Sequence, residues 1–175
     1  AIENDSLERT NMKKTILEAI EIHKKLVDQY ENNCPDKIIE TVEMIVTSIK
    51  DGGCVYICGN GGSAADAQHI AGEFIGRFKR ERKAFPAVAL STDTSVITCV
   101  ANDYSYEKIF ARQVQGLAKK GDILWAFSTS GTSKNIIAAA KLAKELGVKI
   151  LAFTGKADTP LEKMSDVTIA IDAPN

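Results

Sequence analysis

The sequence predicts an α/β fold: a doubly wound parallel sheet of five strands, with helices on both faces and a helical arm at the N-terminus. Five short apolar runs predict the strands, at residues 54–58, 87–90, 123–127, 149–153 and 167–171. Apolar residues at helical spacing predict helices between most of them, at residues 64–78, 106–117 and 135–146. Continuous apolar strands joined by helical crossovers are typical of a parallel sheet that is covered on both faces.

Two helices precede the first predicted strand. Apolar residues recur at helical spacing over residues 12–30 and again over residues 36–50, after Pro35, which suits the first turn of a helix. The Asp-Gly-Gly that follows breaks the pattern. Residues 1–50 are therefore predicted to form a helical arm, and residues 51–175 to form the ligand-binding domain.

The second of these helices is apolar nearly all the way round. Its large apolar residues are Ile38, Ile39, Val42, Ile45, Val46 and Ile49. A helix of this kind is buried on more than one side, whereas one five-stranded domain covers a single side. We therefore expect a homo-oligomer in which a second copy covers the rest.

Composition and charge exclude several classes of protein. The 175 residues suffice for one domain with a full core. A formal net charge of −1 creates no field that would attract nucleic acid or a membrane surface. No apolar run approaches the ~20 residues that span a bilayer. The four cysteines, Cys34, Cys54, Cys58 and Cys99, do not form a disulfide framework in a chain of this length. Cys54 and Cys58 flank a predicted buried strand, and we expect these two to be small apolar side chains in a reducing cytoplasm.

The segment from Ser128 to Ser133, Ser-Thr-Ser-Gly-Thr-Ser, is the strongest indication of function. It joins a predicted buried strand to the start of a predicted helix, where backbone N–H groups are unpaired and the helix dipole is positive. Hydroxyl side chains add donors without charge, so the segment predicts a phosphate-binding turn. The alternative is an ordinary helix N-cap, which needs one hydroxyl rather than several.

A second turn of small residues follows the first predicted strand. It reads Gly59-Asn60-Gly61-Gly62-Ser63. Its glycines allow a ligand to approach the backbone closely, and Asn60 and Ser63 can add side-chain hydrogen bonds. The spacing matches neither the dinucleotide-binding fingerprint nor the Walker loop. Because ligands of such sheets bind at the carboxyl ends of the strands, the two turns together predict a phosphate or sugar site.

The helix after the second turn carries candidates for acid–base chemistry. Asp66, His69, Glu73 and Arg77 are three or four residues apart and form one polar stripe on a helix. His69 and Glu73 could bind one divalent metal ion together, although two ligands do not complete a zinc site. They could also transfer protons, or form an ordinary solvated pair. The charge run at 79–83 is interpreted as a solvated helix end.

In these motifs the sequence resembles the phosphoheptose isomerases, which are bacterial sugar isomerase (SIS) domain enzymes. The run from Gly59 to Glu73, GNGGSAADAQHIAGE, looks like the signature of that family. Further segments match in the same order, at residues 101–104, 110–113, 121–133 and 151–155. The resemblance extends from about residue 40 to the end, and the leading helices suit the family's N-terminal arm.

The resemblance implies an SIS-type sheet and an isomerase. The family converts D-sedoheptulose 7-phosphate into D-glycero-D-manno-heptose 7-phosphate through an enediol, for the heptose of lipopolysaccharide core or surface glycans. Its members are cytoplasmic tetramers with sites between subunits, and the resemblance implies one zinc ion per subunit.

The resemblance also implies roles for particular residues. Glu73 and His69 become the catalytic acid–base residues and half of the zinc site. The phosphate ligands become Ser128, Thr129, Ser130 and Ser133. The sugar ligands become Asn60, Gly61, Gly62, Asn102 and Asp103, with Ser63 and Glu73 also facing the substrate. The family takes a further Gln and His from a C-terminal helix, and because the sequence stops at Asn175, just after a predicted strand, we expect that helix to be missing.

Two alternatives belong to other functional classes. One is a non-enzymatic SIS adaptor that binds the replication initiator protein. That adaptor lacks the acidic residue at the position of Glu73 and carries an arginine at the position of Ser130, so this chain resembles the enzyme more closely. The other is a sugar-phosphate-sensing SIS domain of a regulator, which ranks lower because no DNA-binding segment is seen within these 175 residues.

Overall fold

The computed structural model describes residues 2–172 and, within them, the side chains of residues 8–172. Two helices lead the chain, α1 (Ile2–Asn33) and α2 (Pro35–Lys50). Strands and helices then alternate in the following order: β1 (Val55–Cys58), α3 (Gly62–Ile75), β2 (Ala87–Ala89), α4 (Thr94–Asp103), α5 (Ile109–Leu117), β3 (Ile123–Ser128), α6 (Lys134–Glu145), β4 (Lys149–Thr154) and β5 (Val167–Ala170). Short 3₁₀ turns lie at Tyr106–Lys108 and Glu162–Met164.

The five strands form one parallel sheet, as predicted, in the order β2-β1-β3-β4-β5. From β1 the chain continues to β2, which pairs with one side of β1, and β3 later pairs with the other side of β1. The strand order therefore reverses between β1 and β3. In open α/β sheets the crevice at such a reversal is where ligands bind.

Each face of the sheet carries its own apolar core. On one face α5 and α6 cover Leu124, Ala126 and Ile150, which are at most 1% exposed. On the other face α2 and α3 cover Ile57, Ile123 and their neighbours. The three central strands, β1, β3 and β4, are almost continuously apolar and are buried on both sides, and this confirms the doubly wound fold.

One helix was not predicted from the sequence. Helix α4 contains Thr94, Ser95 and Thr98, residue types that favour helices weakly and obscure the apolar period. Its start is stabilised by Asp93, whose side chain accepts a hydrogen bond of 2.9 Å from the backbone N–H of Val96. This Asp cap is a sequence signal that could have located the helix.

The charge run after α3 is exposed at four of its five residues, as interpreted, but it is not a helix end. Helix α3 ends at Ile75, before the run, and the segment that follows is not helical. Within this segment Arg82 is half-buried and folds back onto the end of α3. Its guanidinium donates to the carbonyl oxygens of Glu73 and Phe74 at 2.6 and 2.9 Å. The arginine therefore caps the helix C-terminus, where backbone carbonyls have no partner within the helix.

The arm exposes large apolar side chains. Helix α2 buries one side, through Thr41, Ile45 and Ser48, as it packs on the sheet. Its opposite side leaves Ile39 and Val42 54% and 52% exposed. Six large apolar residues of α1 are exposed as well: Met12, Ile16, Leu17, Ile20, Ile22 and Val27. An apolar surface of this extent is unusual for a monomer and marks an interaction surface.

Two expectations about the chain as a whole can be compared with the structure. Cys34, Cys54, Cys58 and Cys99 are free thiols; Cys58 is buried in the apolar core and half-buried Cys54 packs against it, as expected for these two. Among residues 2–172 there is no helix with the length and apolar character needed to cross a membrane.

Candidate functional site

The two predicted ligand turns meet at the reversal point of the sheet. One turn, residues 59–63, follows β1, and the other, residues 128–133, follows β3. Because Cys58 pairs with Ala126 in parallel register, both turns leave the same edge of the sheet. Each turn leads directly into a helix, α3 or α6, so two helix N-termini open onto this edge. The positive ends of the two helix dipoles favour an anionic ligand there.

The turn after β3, here called the hydroxyl turn (Ser128–Ser133), is held by its own side chains. Ser128 is buried, and its hydroxyl donates to Ser133 Oγ at 3.1 Å and accepts from the Gly131 N–H at 3.1 Å. The Thr132 N–H and hydroxyl both donate to Ser130 Oγ, at 3.2 and 3.0 Å. Thr129 and Ser130 are exposed, so these residues lie on the open side of the turn.

The alternative interpretation of this turn, an ordinary N-cap, does not hold. Ser133 occupies the cap position of α6, but its side chain makes no capping hydrogen bond. Gly131 bends the turn with a φ of +63°, and a Cβ at that position would collide with the side chain of Thr159. The turn is therefore held by several hydrogen bonds within itself rather than by a single capping hydroxyl.

The turn after β1, here called the glycine turn (Gly59–Ser63), is open toward solvent. Gly61 has a φ of +55°, and neither Gly61 nor Gly62 has another atom within 4 Å of the position where a Cβ would be. A ligand can therefore approach this backbone closely. Ser63 is half-buried and lies in the first turn of α3. Asn60 reaches across to the start of α6, where its side-chain amide pairs with that of Asn135 at 2.8 and 3.0 Å.

His69 and Glu73 lie together on α3, as predicted, at a distance from the two turns. His69 Nε2 and Glu73 Oε1 are 3.4 Å apart, with the side chains 76% and 36% exposed. Glu73 follows Gly62 by eleven residues, a rise of about 16 Å along the helix axis. The polar stripe ends at Glu73, because Arg77 lies beyond the helix and pairs with Glu81 at 3.4 Å.

The two residues could contribute to a metal site. A histidine nitrogen and a carboxylate oxygen are ordinary zinc ligands, but a zinc site has four positions. No group of three or more His, Cys, Asp or Glu side chains comes close enough to hold a metal ion in the described part of the chain. His69 and Glu73 thus fit half of a zinc site, and the remaining ligands would have to come from elsewhere.

Asn102 and Asp103 lie at the end of α4, the helix that sequence reasoning missed. Both are exposed, and the Asn102 amide donates to Asp103 Oδ1 at 2.9 Å. Three residues later, the hydroxyl of Tyr106 donates to Asn60 Oδ1 at 3.1 Å. The end of α4 is therefore connected to the glycine turn, although no direct contact joins Asp103 to either ligand turn in the side chains described.

Two groups near these turns have shifted pKa values. The pKa of Lys134, the first residue of α6, is raised because its ammonium donates to Glu107 Oε1 at 2.9 Å. It therefore remains charged beside the hydroxyl turn. The pKa of Cys99 is raised, first by the hydrogen bond that its thiol donates to Asp103 and then by the charge of that carboxylate.

Sequence reasoning missed three residues that shape the site. Asn135 and Tyr106 hold Asn60, and Arg82 binds the backbone at Glu73. Each acts on a partner that is distant in the sequence or belongs to the backbone. Of the three, the sequence could have indicated Asn135, because it is an asparagine in the first turn of the helix that follows the hydroxyl turn.

The comparisons with known proteins identify the family of this chain. The SIS domain family model matches residues 20–155. The phosphoheptose isomerase of Aliarcobacter butzleri is 40% identical over 160 residues, covering 91% of this chain and 85% of the relative. That of Burkholderia pseudomallei is 49% identical over 140 residues, covering 78% of this chain and 71% of the relative.

Two solved structures have the same fold over nearly the whole chain. The phosphoheptose isomerase of Francisella tularensis superposes with a TM-score of 0.90 at 34% identity, covering 94% of this chain and 87% of that one. The phosphoheptose isomerase of Neisseria gonorrhoeae superposes with a TM-score of 0.88 at 33% identity, with 94% and 88% covered. The chain therefore belongs to the SIS domain family and, within it, to the phosphoheptose isomerases.

Proposed function

We propose that this protein interconverts D-sedoheptulose 7-phosphate and D-glycero-D-manno-heptose 7-phosphate, supplying heptose for lipopolysaccharide core or surface glycans. The observation that carries the proposal is the hydroxyl turn at the reversal point of the sheet, in a chain that is 40–49% identical to phosphoheptose isomerases. Nothing in the comparisons supports the alternative adaptor function, and Glu73 and Ser130 both favour the enzyme.

The substrate phosphate is proposed to bind at the hydroxyl turn. The exposed hydroxyls of Thr129 and Ser130, Ser133 at the cap position and the first N–H groups of α6 can surround the phosphate oxygens. The glycine turn lies beside it, so its backbone N–H groups and the Asn60 amide are available to the sugar hydroxyls. Asn102 and Asp103 are proposed to complete the sugar site from the end of α4.

The reaction moves a proton between C1 and C2 of the sugar. A base removes a proton from C1 of the ketose, and the C2 carbonyl oxygen takes up a proton, which gives an enediol. Returning a proton to C2 and removing one from the C1 hydroxyl gives the aldose, so atoms and electrons balance within the substrate. Glu73 is proposed as the base, with His69 as its partner in proton transfer.

The distance of Glu73 from the two turns is compatible with this chemistry. The reacting carbons are at the opposite end of the seven-carbon chain from the phosphate, so the base must lie far from the phosphate site. Side chains on a helix lean toward its N-terminus, and α3 has its N-terminus at the glycine turn. The Glu73 side chain therefore leans back toward the ligand site.

We also propose that His69 and Glu73 supply two ligands to a zinc ion. A bound divalent cation would polarise a carbonyl oxygen of the substrate. The proposal can be tested without an activity assay, by measuring the zinc content of the purified protein by mass spectrometry. His69→Ala should abolish the bound zinc, whereas His23→Ala, which alters an exposed histidine on α1, should leave it unchanged. Equal zinc in both variants would reject the site.

The assembly is proposed to be a homotetramer. The exposed apolar residues of α1 and α2 support an interface between copies of the arm. We expect light scattering to give the mass of four chains, and Val42→Glu to reduce it. A parent protein that remains a monomer at micromolar concentration would contradict the proposal. We further propose a cytoplasmic location, which is compatible with four free thiols.

The decisive experiment compares Glu73→Gln with a matched control. Glutamine keeps the shape of the side chain but cannot exchange a proton, so turnover and deuterium uptake from solvent should both stop while the substrate still binds. Glu81→Gln makes the same change at an 83%-exposed carboxylate outside the helix, and should leave kcat unchanged. Turnover by Glu73→Gln at the parent rate would show that Glu73 is not the base. A parent protein that does not convert D-sedoheptulose 7-phosphate would refute the proposed function.

A further inference from the structure

We infer that Asn135 and Tyr106 are positioning residues that fix the side-chain amide of Asn60, so that Asn60 presents only an N–H donor to the substrate. The inference rests on the proposed function, because it concerns the same sugar-phosphate site. It adds two residues that neither the sequence motifs nor the hydroxyl turn identify.

The amides of Asn60 and Asn135 form a reciprocal pair. Asn60 Nδ2 donates to Asn135 Oδ1 at 3.0 Å, and Asn135 Nδ2 donates to Asn60 Oδ1 at 2.8 Å. Asn135 is only 3% exposed, so replacing these bonds by water is unfavourable. This pair is a direct link between the glycine turn and the helix that follows the hydroxyl turn.

The backbone determines which way both amides point. The N–H of Ile136, in the first turn of α6, donates to Asn135 Oδ1 at 3.0 Å. A backbone N–H can only donate, so Asn135 must place its oxygen there and its NH₂ group toward Asn60. Asn60 must in turn place its oxygen toward that NH₂ group. Reversing either amide alone would place its oxygen against the other oxygen and its NH₂ group against the other NH₂ group.

The hydroxyl of Tyr106 completes the arrangement. It donates to Asn60 Oδ1 at 3.1 Å, so the two lone pairs of that oxygen are both occupied, by Asn135 and by Tyr106. The Asn60 NH₂ group has two hydrogens and gives one to Asn135. Counting the partners among residues 8–172, one N–H is the hydrogen-bonding capacity that remains on the Asn60 side chain.

This count defines what Asn60 can recognise. A ligand atom that meets the Asn60 side chain has to be an acceptor, such as a sugar hydroxyl oxygen or an oxygen on which negative charge develops. A fixed donor also needs no reorganisation when the ligand arrives, which improves binding. Releasing Asn60 from its two partners should therefore weaken binding through Asn60 itself.

Tyr106→Phe tests the inference with the smallest change. It removes one hydroxyl from a ring that is 58% exposed, so the fold should be unaffected. We expect kcat/KM to fall by about threefold to tenfold, the value of one neutral hydrogen bond. Tyr104→Phe is the matched control, because Tyr104 is 61% exposed and its ring contacts Arg112; it should leave kcat/KM unchanged.

A double-mutant cycle separates positioning from a general structural effect. In the Asn60→Ala background, Tyr106→Phe should cause no further loss of kcat/KM, because the amide that it positions is gone. Asn135→Asp keeps the acceptor for the Ile136 N–H but cannot donate to Asn60 when ionised. Its effect should likewise disappear in the Asn60→Ala background. If the fold-losses in kcat/KM of the single variants multiply in the double variants, the inference is overturned.

A binding measurement keeps the inference distinct from the proposed function. Calorimetry with sedoheptulose 7-phosphate in the Glu73→Gln background, where turnover should be absent, reports on affinity alone. A rise in Kd of about threefold to tenfold on adding Tyr106→Phe supports the inference even if the parent shows no isomerase activity. An unchanged Kd overturns the inference, and so does a parent protein that does not bind the sugar phosphate. If the parent is active and the Kd is unchanged, the inference fails but the proposed function stands.

Discussion

The end of helix α3 depends on one arginine, and this dependence can be measured. Arg82 donates to four backbone carbonyl oxygens, those of Glu73, Phe74, Lys83 and Gly76, at 2.6, 2.9, 3.0 and 3.4 Å. Its guanidinium carbon also lies 4.1 Å from the ring centroid of Phe85. Arg82→Ala would remove all of these contacts from a half-buried segment that holds the backbone of the proposed base.

The size of the effect follows from the geometry. A hydrogen bond to a charged group contributes roughly 1.5–3 kcal/mol, and a cation–π contact adds about 0.5–1 kcal/mol. The two shortest bonds, to Glu73 and Phe74, are partly buried, whereas water can replace the others. Because the bonds share one side chain and are not additive, we expect Arg82→Ala to lower the free energy of unfolding by about 2–3 kcal/mol.

Urea denaturation at fixed protein concentration measures this difference. Arg82→Lys keeps the charge but not the planar fork, so it should recover less than half of the loss. Arg80→Ala is the control, because Arg80 is exposed in the same segment and should change stability by less than about 0.5 kcal/mol. Equal stability of Arg82→Ala and Arg80→Ala would refute this account. In the folded variant, kcat should fall more than KM rises, since Glu73 loses its backbone anchor.

Three further outcomes are expected. Ser130→Ala removes one donor to the phosphate and should weaken substrate binding by about 1.5–3 kcal/mol in calorimetry, with Tm unchanged; unchanged affinity would exclude Ser130 as a ligand. Gly131→Ala forces a side chain into a φ of +63° and against Thr159, so both Tm and affinity should fall; a variant with the parent Tm would contradict the turn geometry. Asp103→Asn removes the carboxylate that raises the pKa of Cys99. More thiolate should then form near pH 8, so alkylation of Cys99 should accelerate. An unchanged or slower alkylation rate would reject that pKa shift.

The fold could be predicted because its signals are local. All five strands coincide with their apolar runs to within one or two residues at each end, and α2 and α6 were located nearly as well. Helix α4 was missed because the sequence from Thr94 to Thr98 is rich in β-branched and hydroxyl residues, which favour helices weakly. Its stability comes from its Asp cap and from packing against α5 and the 3₁₀ turn at Tyr106–Lys108, and periodicity does not report on either.

The candidate site could be predicted only in part, for a different reason. Its turns are continuous stretches of sequence, and their composition identifies them. The contacts that shape it join residues far apart: Asn60 and Asn135 are 75 positions apart, and Asn60 and Tyr106 are 46 apart. Arg82 bonds to backbone carbonyls, so no pattern of side chains indicates its partners. Such contacts follow from strand order and register, which a single sequence does not reveal.

The order of the strands explains why the two ligand turns cannot act independently. The turns belong to β1 and β3, which are adjacent only because the chain reverses direction across the sheet between them. The Asn60–Asn135 amide pair then ties the sugar side of the site to the first turn of α6, and the phosphate side is built on that same helix start. A substitution in either turn should therefore disturb the other through this pair. Because residues that share a hydrogen-bond network couple, the binding losses of Asn60→Ala and Ser130→Ala should not add when the two are combined.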